Sequence, residues 1–163
     1  MEQQIKQHNK KVLATLEVGD LVEFPREHIS HWGVYVGDGE IVHLTASNKA
    51  SGIGNKEGRV KKEKFWDVVK QSRAKKNNYK DNDSQYKIFD REEIKRRALS
   101  KVGPSNYNFV DDNCEHFAMY CRYGKKHSGQ VNAFVARCLI IKGAFLALVL
   151  LVVYQFRRIL KRY

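Results

Sequence analysis

The sequence predicts an α+β fold: an antiparallel sheet packed on a helix that opens at Cys114, followed by an apolar C-terminal segment. Three observations predict it. Residues 20–44 alternate apolar runs with turn residues. Asp111-Asp112-Asn113 precedes an amphipathic run that stops at Gly124. Gly143 to Phe156 then carries no charge over fourteen residues.

Taken in order, residues 1–16 read as a polar leader with frayed helical character. Asp20 to Phe24 reads as a strand ended by Pro25, and His31 to Val36 as a second. Gly37-Asp38-Gly39 supplies a turn and Glu40 to Leu44 a third strand. Residues 45–64 are rich in Ser, Asn, Gly and Lys and are expected to form a loop entering a short strand near Val60, with Phe65 to Val69 as another strand. From Lys56 to Lys80 basic residues dominate, a solvated loop or a contact for membrane or phosphate. Ile94, Ala98, Leu99 and Val102 repeat at helical spacing before Gly103-Pro104 stops the run. Asn113 then stands where a helix cap is wanted, ahead of CEHFAMYC. These elements define a domain over residues 17–130 and a hydrophobic anchor with a basic end over 131–163.

A chain of 163 residues has room for one compact domain of ordinary size. Its 42% hydrophobic and 11% aromatic content excludes a wholly disordered chain. Thirty Lys and Arg against eighteen Asp and Glu leave a net charge of +12, which favours anionic partners. No aromatic-interleaved basic strand or reader motif supports nucleic acid, and much of the charge flanks the apolar segment, so an anionic membrane surface is the expected partner. Extended back to Cys138, that segment spans nineteen residues with only Lys142 inside, enough to span or to dip into one leaflet. Arg157, Arg158, Lys161 and Arg162 follow it. The N-terminus lacks the apolar core of a secretory signal, so a cytoplasmic domain on a membrane anchor is expected.

The three cysteines, Cys114, Cys121 and Cys138, are an odd, sparse set suited to a reducing compartment. Cys114 occupies the first turn of the capped helix, where unpaired N–H groups and the helix dipole favour a thiolate. Cys121 repeats the apolar stripe, and Cys138 belongs to the approach to the anchor. A nucleophilic thiol needs a base, and the base needs a third group that holds its tautomer. The hairpin offers both. If Gly37-Asp38-Gly39 is a three-residue loop, Val36 pairs with Glu40, Val34 with Val42 and Gly33 with His43, which puts His31 and His43 on one face. A two-residue loop pairs His43 with Val34 instead and sends the rings to opposite faces. Gly39 can supply the left-handed position that a three-residue loop with a bulge requires. A zinc site from Cys114, His116, His31 and His43 is disfavoured, because Cys-x-His on a helix is poor chelating geometry and no CxxC pair exists.

GDLVEF at 19–24, HWGVYVGDGEIVHL at 31–44 and NCEHFAMYCRYG at 113–124 resemble the lecithin:retinol acyltransferase superfamily, most closely its phospholipase A and acyltransferase branch. The resemblance implies a circularly permuted papain-like fold, with Cys114 as nucleophile, His31 as base and His43 as orienting histidine, and neither metal nor cofactor. It also implies a reaction: Cys114 attacks a glycerophospholipid ester, an acyl thioester forms, and the acyl group passes to water, to the amine of phosphatidylethanolamine or to a lysophospholipid. The chain departs from the family at Ile29-Ser30, where an aromatic-basic pair is usual, and after His43, where prolines are missing. Arg26 keeps its place and is a candidate phosphate contact. The rival reading is a catalytically silent module of the same fold that binds an anionic membrane or a protein partner.

Overall fold

The computed structural model describes residues 1–46, 56–108 and 112–160, with residue 56 and the last nine as backbone alone. The chain divides into two units, Met1–Ser128 and Gly129–Tyr163.

The first unit is built on six antiparallel strands: β1 (Leu21–Phe24), β2 (His31–Gly37), β3 (Glu40–Ala46), β4 (Lys56–Lys64), β5 (Lys75–Lys76) and β6 (Gly103–Tyr107). Their order across the sheet is β5-β1-β2-β3-β4-β6. The helices are α1 (Glu2–Thr15), α2 (Phe65–Val69), α3 (Arg91–Leu99) and α4 (Cys114–Tyr123).

Alternation along the strands gives the sheet two apolar faces. Leu21, Trp32, Val34, Val42, Leu44 and Val60 pack with Ile94 and Ala98 of α3 and with Phe117, Ala118 and Met119 of α4. On the opposite face Val22, Phe24 and Ile41 pack with Phe65, Val68 and Val69 of α2 and with Leu16, while Val12 and Leu13 of α1 close the edge.

Several expectations change here. The leader is the helix α1, held by its buried Asn9, which donates to Ser72 O at 2.9 Å and accepts from Ala74 N at 2.9 Å. Phe65 to Val69 is the helix α2, not a strand. Its buried residues fall at i, i+3 and i+4, the helical spacing. The short strand expected near Val60 is present but longer, the nine-residue β4, which takes in part of the expected loop and pairs with β3 from Glu40↔Lys64 to Ala46↔Gly58. The rest of that loop, residues 47–55, lies outside the described residues, as do Phe109 to Asp111 of the expected cap approach.

The hairpin turn also differs from the expected three-residue loop. Gly37, not Val36, pairs with Glu40, leaving Asp38 and Gly39 as a two-residue turn with φ of 52° and 67°, both in the left-handed region that a type I′ turn requires. A bulge between Tyr35 and Gly37 restores the offset, so Tyr35 still faces Ile41 and Val34 still faces Val42. The register that matters for the histidines is therefore the expected one, reached by a different turn.

Among the described residues the second unit is the helix α5 (Gly129–Leu160), thirty-two residues and about 48 Å long at 1.5 Å per residue. Its stretch Gly129–Leu151 is long and apolar enough to cross a membrane, with Leu139, Ile140, Ile141, Phe145 and Leu146 all exposed.

Candidate active site

Asn113 caps α4 as its residue type predicts. The side-chain oxygen accepts from Glu115 N at 2.9 Å and His116 N at 3.1 Å, and His116 Nδ1 accepts from Asn113 N at 3.3 Å. This cap fixes Cys114 as the first helical residue and commits the His116 ring to the cap. At the far end Gly124, with φ of 74°, takes the left-handed stop.

Cys114 is 3% exposed, and its Sγ lies 3.8 Å from Ser30 O. Strand geometry explains that placement. Tyr35 exchanges backbone bonds with Gly19 and Asp20 on the β1 side, so alternation turns the N–H and C=O groups of Ser30 and Trp32 toward β3. The β2–β3 ladder runs no further from the turn than Val34↔Val42. The sulfur sits at this open end, beside Ser30 O and facing the Trp32 N–H.

His31 and His43 project from the same face of β2 and β3. His31 Nε2 and His43 Nδ1 are 2.8 Å apart, and the rings meet edge to face with centroids 4.9 Å apart. Gly33 makes room for this pair. A Cβ there would overlap Ile41 Cγ2 and come within 3.3 Å of His43 Cβ. Gly33→Ala is expected to cost about 1–3 kcal/mol through overpacking and to displace His43, read as a lower denaturation midpoint with a parallel fall in turnover. An unchanged midpoint would show that the close approach of β2 to β3 is not required.

His31, His43 and Cys114 line one open cleft of about 1570 Å³. Its wall carries Arg26, Arg59, Lys61 and Lys70 as cations and Glu57, Glu63, Asp67 and Asp112 as acids. Sequence reasoning missed Glu63. On β4 it stands across from Ile41, diagonal to His43, and its Oε2 is 2.8 Å from His43 Nε2. Lys61 Nζ approaches Glu63 Oε1 at 3.5 Å. The missed signal was the length of β4: once it pairs with β3, Arg59, Lys61 and Glu63 share the face of His43, while Lys62 and Lys64 turn away to Glu40.

Burial governs the electrostatics. It pushes the Cys114 thiol up to about 11, against the backbone N–H groups of Trp32, Glu115 and Cys114 itself, which favour the thiolate. The thiolate expected from the helix terminus is thus overruled by desolvation. Burial, then the neighbouring His43, Arg26 and Lys70, hold His31 down at about 3. His43 is also lowered by burial, although Glu63 pulls the other way. Burial raises the Glu63 carboxyl, but the bond to His43 and the charge of Lys61 outweigh it and leave it below its ordinary value. At neutral pH Cys114 is therefore a thiol, His31 and His43 are neutral imidazoles and Glu63 is a carboxylate.

Arg26 stands on the cleft wall, but its guanidinium is already engaged: Nη2 donates to Val68 O at 2.7 Å and Nη1 to Val69 O at 3.3 Å, closing the carbonyl end of α2.

The family model described as lecithin retinol acyltransferase matches residues 14–127. The chain belongs to that family. Human phospholipase A and acyltransferase 2 is 34% identical over 139 residues, covering 80% of this chain and 85% of the relative. Human phospholipase A and acyltransferase 3 is 34% identical over 149 residues, covering 86% and 90%. Human lecithin retinol acyltransferase is 32% identical over 141 residues, covering 76% and 61%. The match takes in β1 to α4 and so every residue named in the cleft.

Proposed function

We propose that this protein is a membrane-attached, thiol-dependent phospholipase A and acyltransferase that cleaves a glycerophospholipid ester through an acyl thioester on Cys114. The observation that carries the reading is the common cleft of Cys114 with the His31–His43 pair, whose ring nitrogens lie 2.8 Å apart. The chain order His31, His43, Cys114 is in keeping with a circularly permuted papain-like fold.

The reaction runs in two halves. Cys114 Sγ attacks the ester carbonyl while His31 takes the thiol proton. Because the thiol is raised and the imidazole lowered, the proton moves as the C–S bond forms rather than beforehand. The Cys114 N–H is one donor to the tetrahedral oxyanion. Collapse breaks the C–O bond, and His31 returns its proton to the departing alkoxide, releasing a lysophospholipid. In the second half His31 deprotonates water, the amine of phosphatidylethanolamine or the hydroxyl of a lysophospholipid. That acceptor takes the acyl group, and Cys114 regains its proton. His43 orients His31 throughout.

Arg26, anchored on α2, places positive charge on the cleft wall, with Arg59, Lys61 and Lys70 nearby. Four acidic residues share that wall, so attraction to an anionic bilayer surface rests on the chain's net charge of +12, with the cleft cations as local contacts for a headgroup phosphate. The apolar length of α5 supports attachment through the second unit. The test is product analysis with phosphatidylcholine labelled differently on its two acyl chains, with and without phosphatidylethanolamine. Released labelled fatty acid and labelled N-acyl phosphatidylethanolamine are expected. Intact substrate under both conditions would sink the reading.

A further inference from the structure

We propose that Glu63 is a positioning residue that fixes the tautomers of both histidines, so that the basic lone pair of the site lies on His31 Nδ1. The inference rests on the reading of His31 as the base for Cys114, and it follows from counting protons along a chain of short contacts.

An ionised carboxylate only accepts hydrogen bonds, and a neutral imidazole has one N–H and one lone pair. Glu63 Oε2 lies 2.8 Å from His43 Nε2, so that nitrogen carries the proton and donates. His43 Nδ1 is then a lone pair. It lies 2.8 Å from His31 Nε2, so that nitrogen must be the donor of the second bond. One nitrogen remains, His31 Nδ1, and it must hold the lone pair. The opposite arrangement sets the lone pair of His43 Nε2 against the carboxylate and leaves His31 Nδ1 protonated, unable to take a proton from a thiol. Lys61, 3.5 Å from the other carboxylate oxygen, favours the ionised form on which the ordering depends.

The same chain serves the charged intermediate. When His31 holds the thiol proton it is an imidazolium, and its Nε2–H points through His43 to a carboxylate. A second imidazole standing alone would give that cation little compensation. Ending the chain on Glu63 gives it an anion two bonds away, the part that an acidic residue plays in other triads.

The experiment uses the full-length chain in detergent micelles with ¹⁵N-labelled histidine, and compares wild type with Glu63→Gln, Glu63→Asp and Cys114→Ala. In the wild type the imidazole ¹⁵N shifts are expected to show protonated Nε2 and bare Nδ1 on both rings. Gln can turn its amide nitrogen toward His43, so Glu63→Gln is expected to lose this single-tautomer pattern. Its kcat should fall by about 100-fold with KM changed little, as loss of an orienting partner does. Glu63→Asp, which keeps the charge, should recover about tenfold of that loss.

A protonated Nδ1 on His31 in the wild type overturns the proposal whether or not any variant folds. So does a Glu63→Gln protein with wild-type tautomers and wild-type kcat. Cys114→Ala separates this inference from the reading beneath it. If that variant turns over lipid normally, the thioester mechanism is lost while the tautomer spectra still report on Glu63. If it is inactive and the Glu63→Gln spectra are unchanged, only the role of Glu63 is lost.

Discussion

Cys114→Ala is expected to lower phospholipid turnover by at least about 10³-fold, because removing the nucleophile of a covalent mechanism leaves only binding and oxyanion stabilisation. The substitution is well isolated structurally. The α4 cap is made by Asn113, Glu115 and His116, and the His31–His43–Glu63 chain has no bond through the sulfur. Alanine is also a better helix former than cysteine at the same position. Loss of activity with an unchanged circular dichroism spectrum would thus report on chemistry and not on folding. The intermediate gives an independent reading. Acid quench during turnover, followed by peptide mass analysis, should show one acyl chain on the wild-type peptide containing Cys114, removed by hydroxylamine and absent from the variant. Full activity in Cys114→Ala, or an acyl adduct confined to Cys121 or Cys138, would remove Cys114 from the reaction.

The site was legible in the sequence where local chemistry decides position. Asn113 ahead of an apolar stripe specifies a helix start, and Gly124 its end, whatever the rest of the chain does. The hairpin was legible because alternation and a glycine turn are short-range signals, although the bulge at Gly37 made a two-residue turn do what a three-residue loop was expected to do. Strand β4 was legible only around Val60, where a short strand was expected, and not in its nine-residue length. Its sequence KEGRVKKEK has Val60 as its one apolar residue, and it is a strand because β3 and β6 pair with it from both sides. The run of lysines hid it, and Glu63 was hidden with it. Strand β6, GPSNY, is defined in the same way by a distant partner. In α2, FWDVV, five residues are too few to tell a helical period from an apolar strand.

The ionisation of Cys114 was the other error of sequence reasoning, and its cause is general. A helix terminus favours a thiolate by a fraction of a kcal/mol to about 2 kcal/mol, whereas complete burial shifts an ionisable group by several pKa units. Position along a helix can be read from residue order; burial depends on what packs around the terminus. Here that is the start of β2, where the Ser30 carbonyl faces the sulfur and the Trp32 N–H offsets the cost of burial only in part.

This ordering of effects makes the pH dependence of a His31 variant diagnostic. In the wild type, neutral His31 and un-ionised Cys114 coexist between about 3 and about 11, so kcat/KM is expected to be flat from pH 5 to 9. His31→Gln removes the proton acceptor and leaves only the fraction of enzyme that is already thiolate. With the thiol at about 11, that fraction is about 10⁻⁴ at pH 7 and rises tenfold per pH unit. The variant should therefore be severely impaired at neutral pH, with log kcat/KM climbing at a slope near one toward pH 9.5, so that its deficit against the wild type shrinks steadily. Iodoacetamide labelling of the Cys114 peptide, followed by mass spectrometry, should climb with the same slope in the wild type, because alkylation needs the thiolate and has no use for a coupled base. A labelling plateau at neutral pH would mean that sulfur and imidazole already exist as an ion pair. The proton would then have moved before substrate arrives, and the carboxylate at the end of the histidine chain would be stabilising a resting cation instead of a transient one.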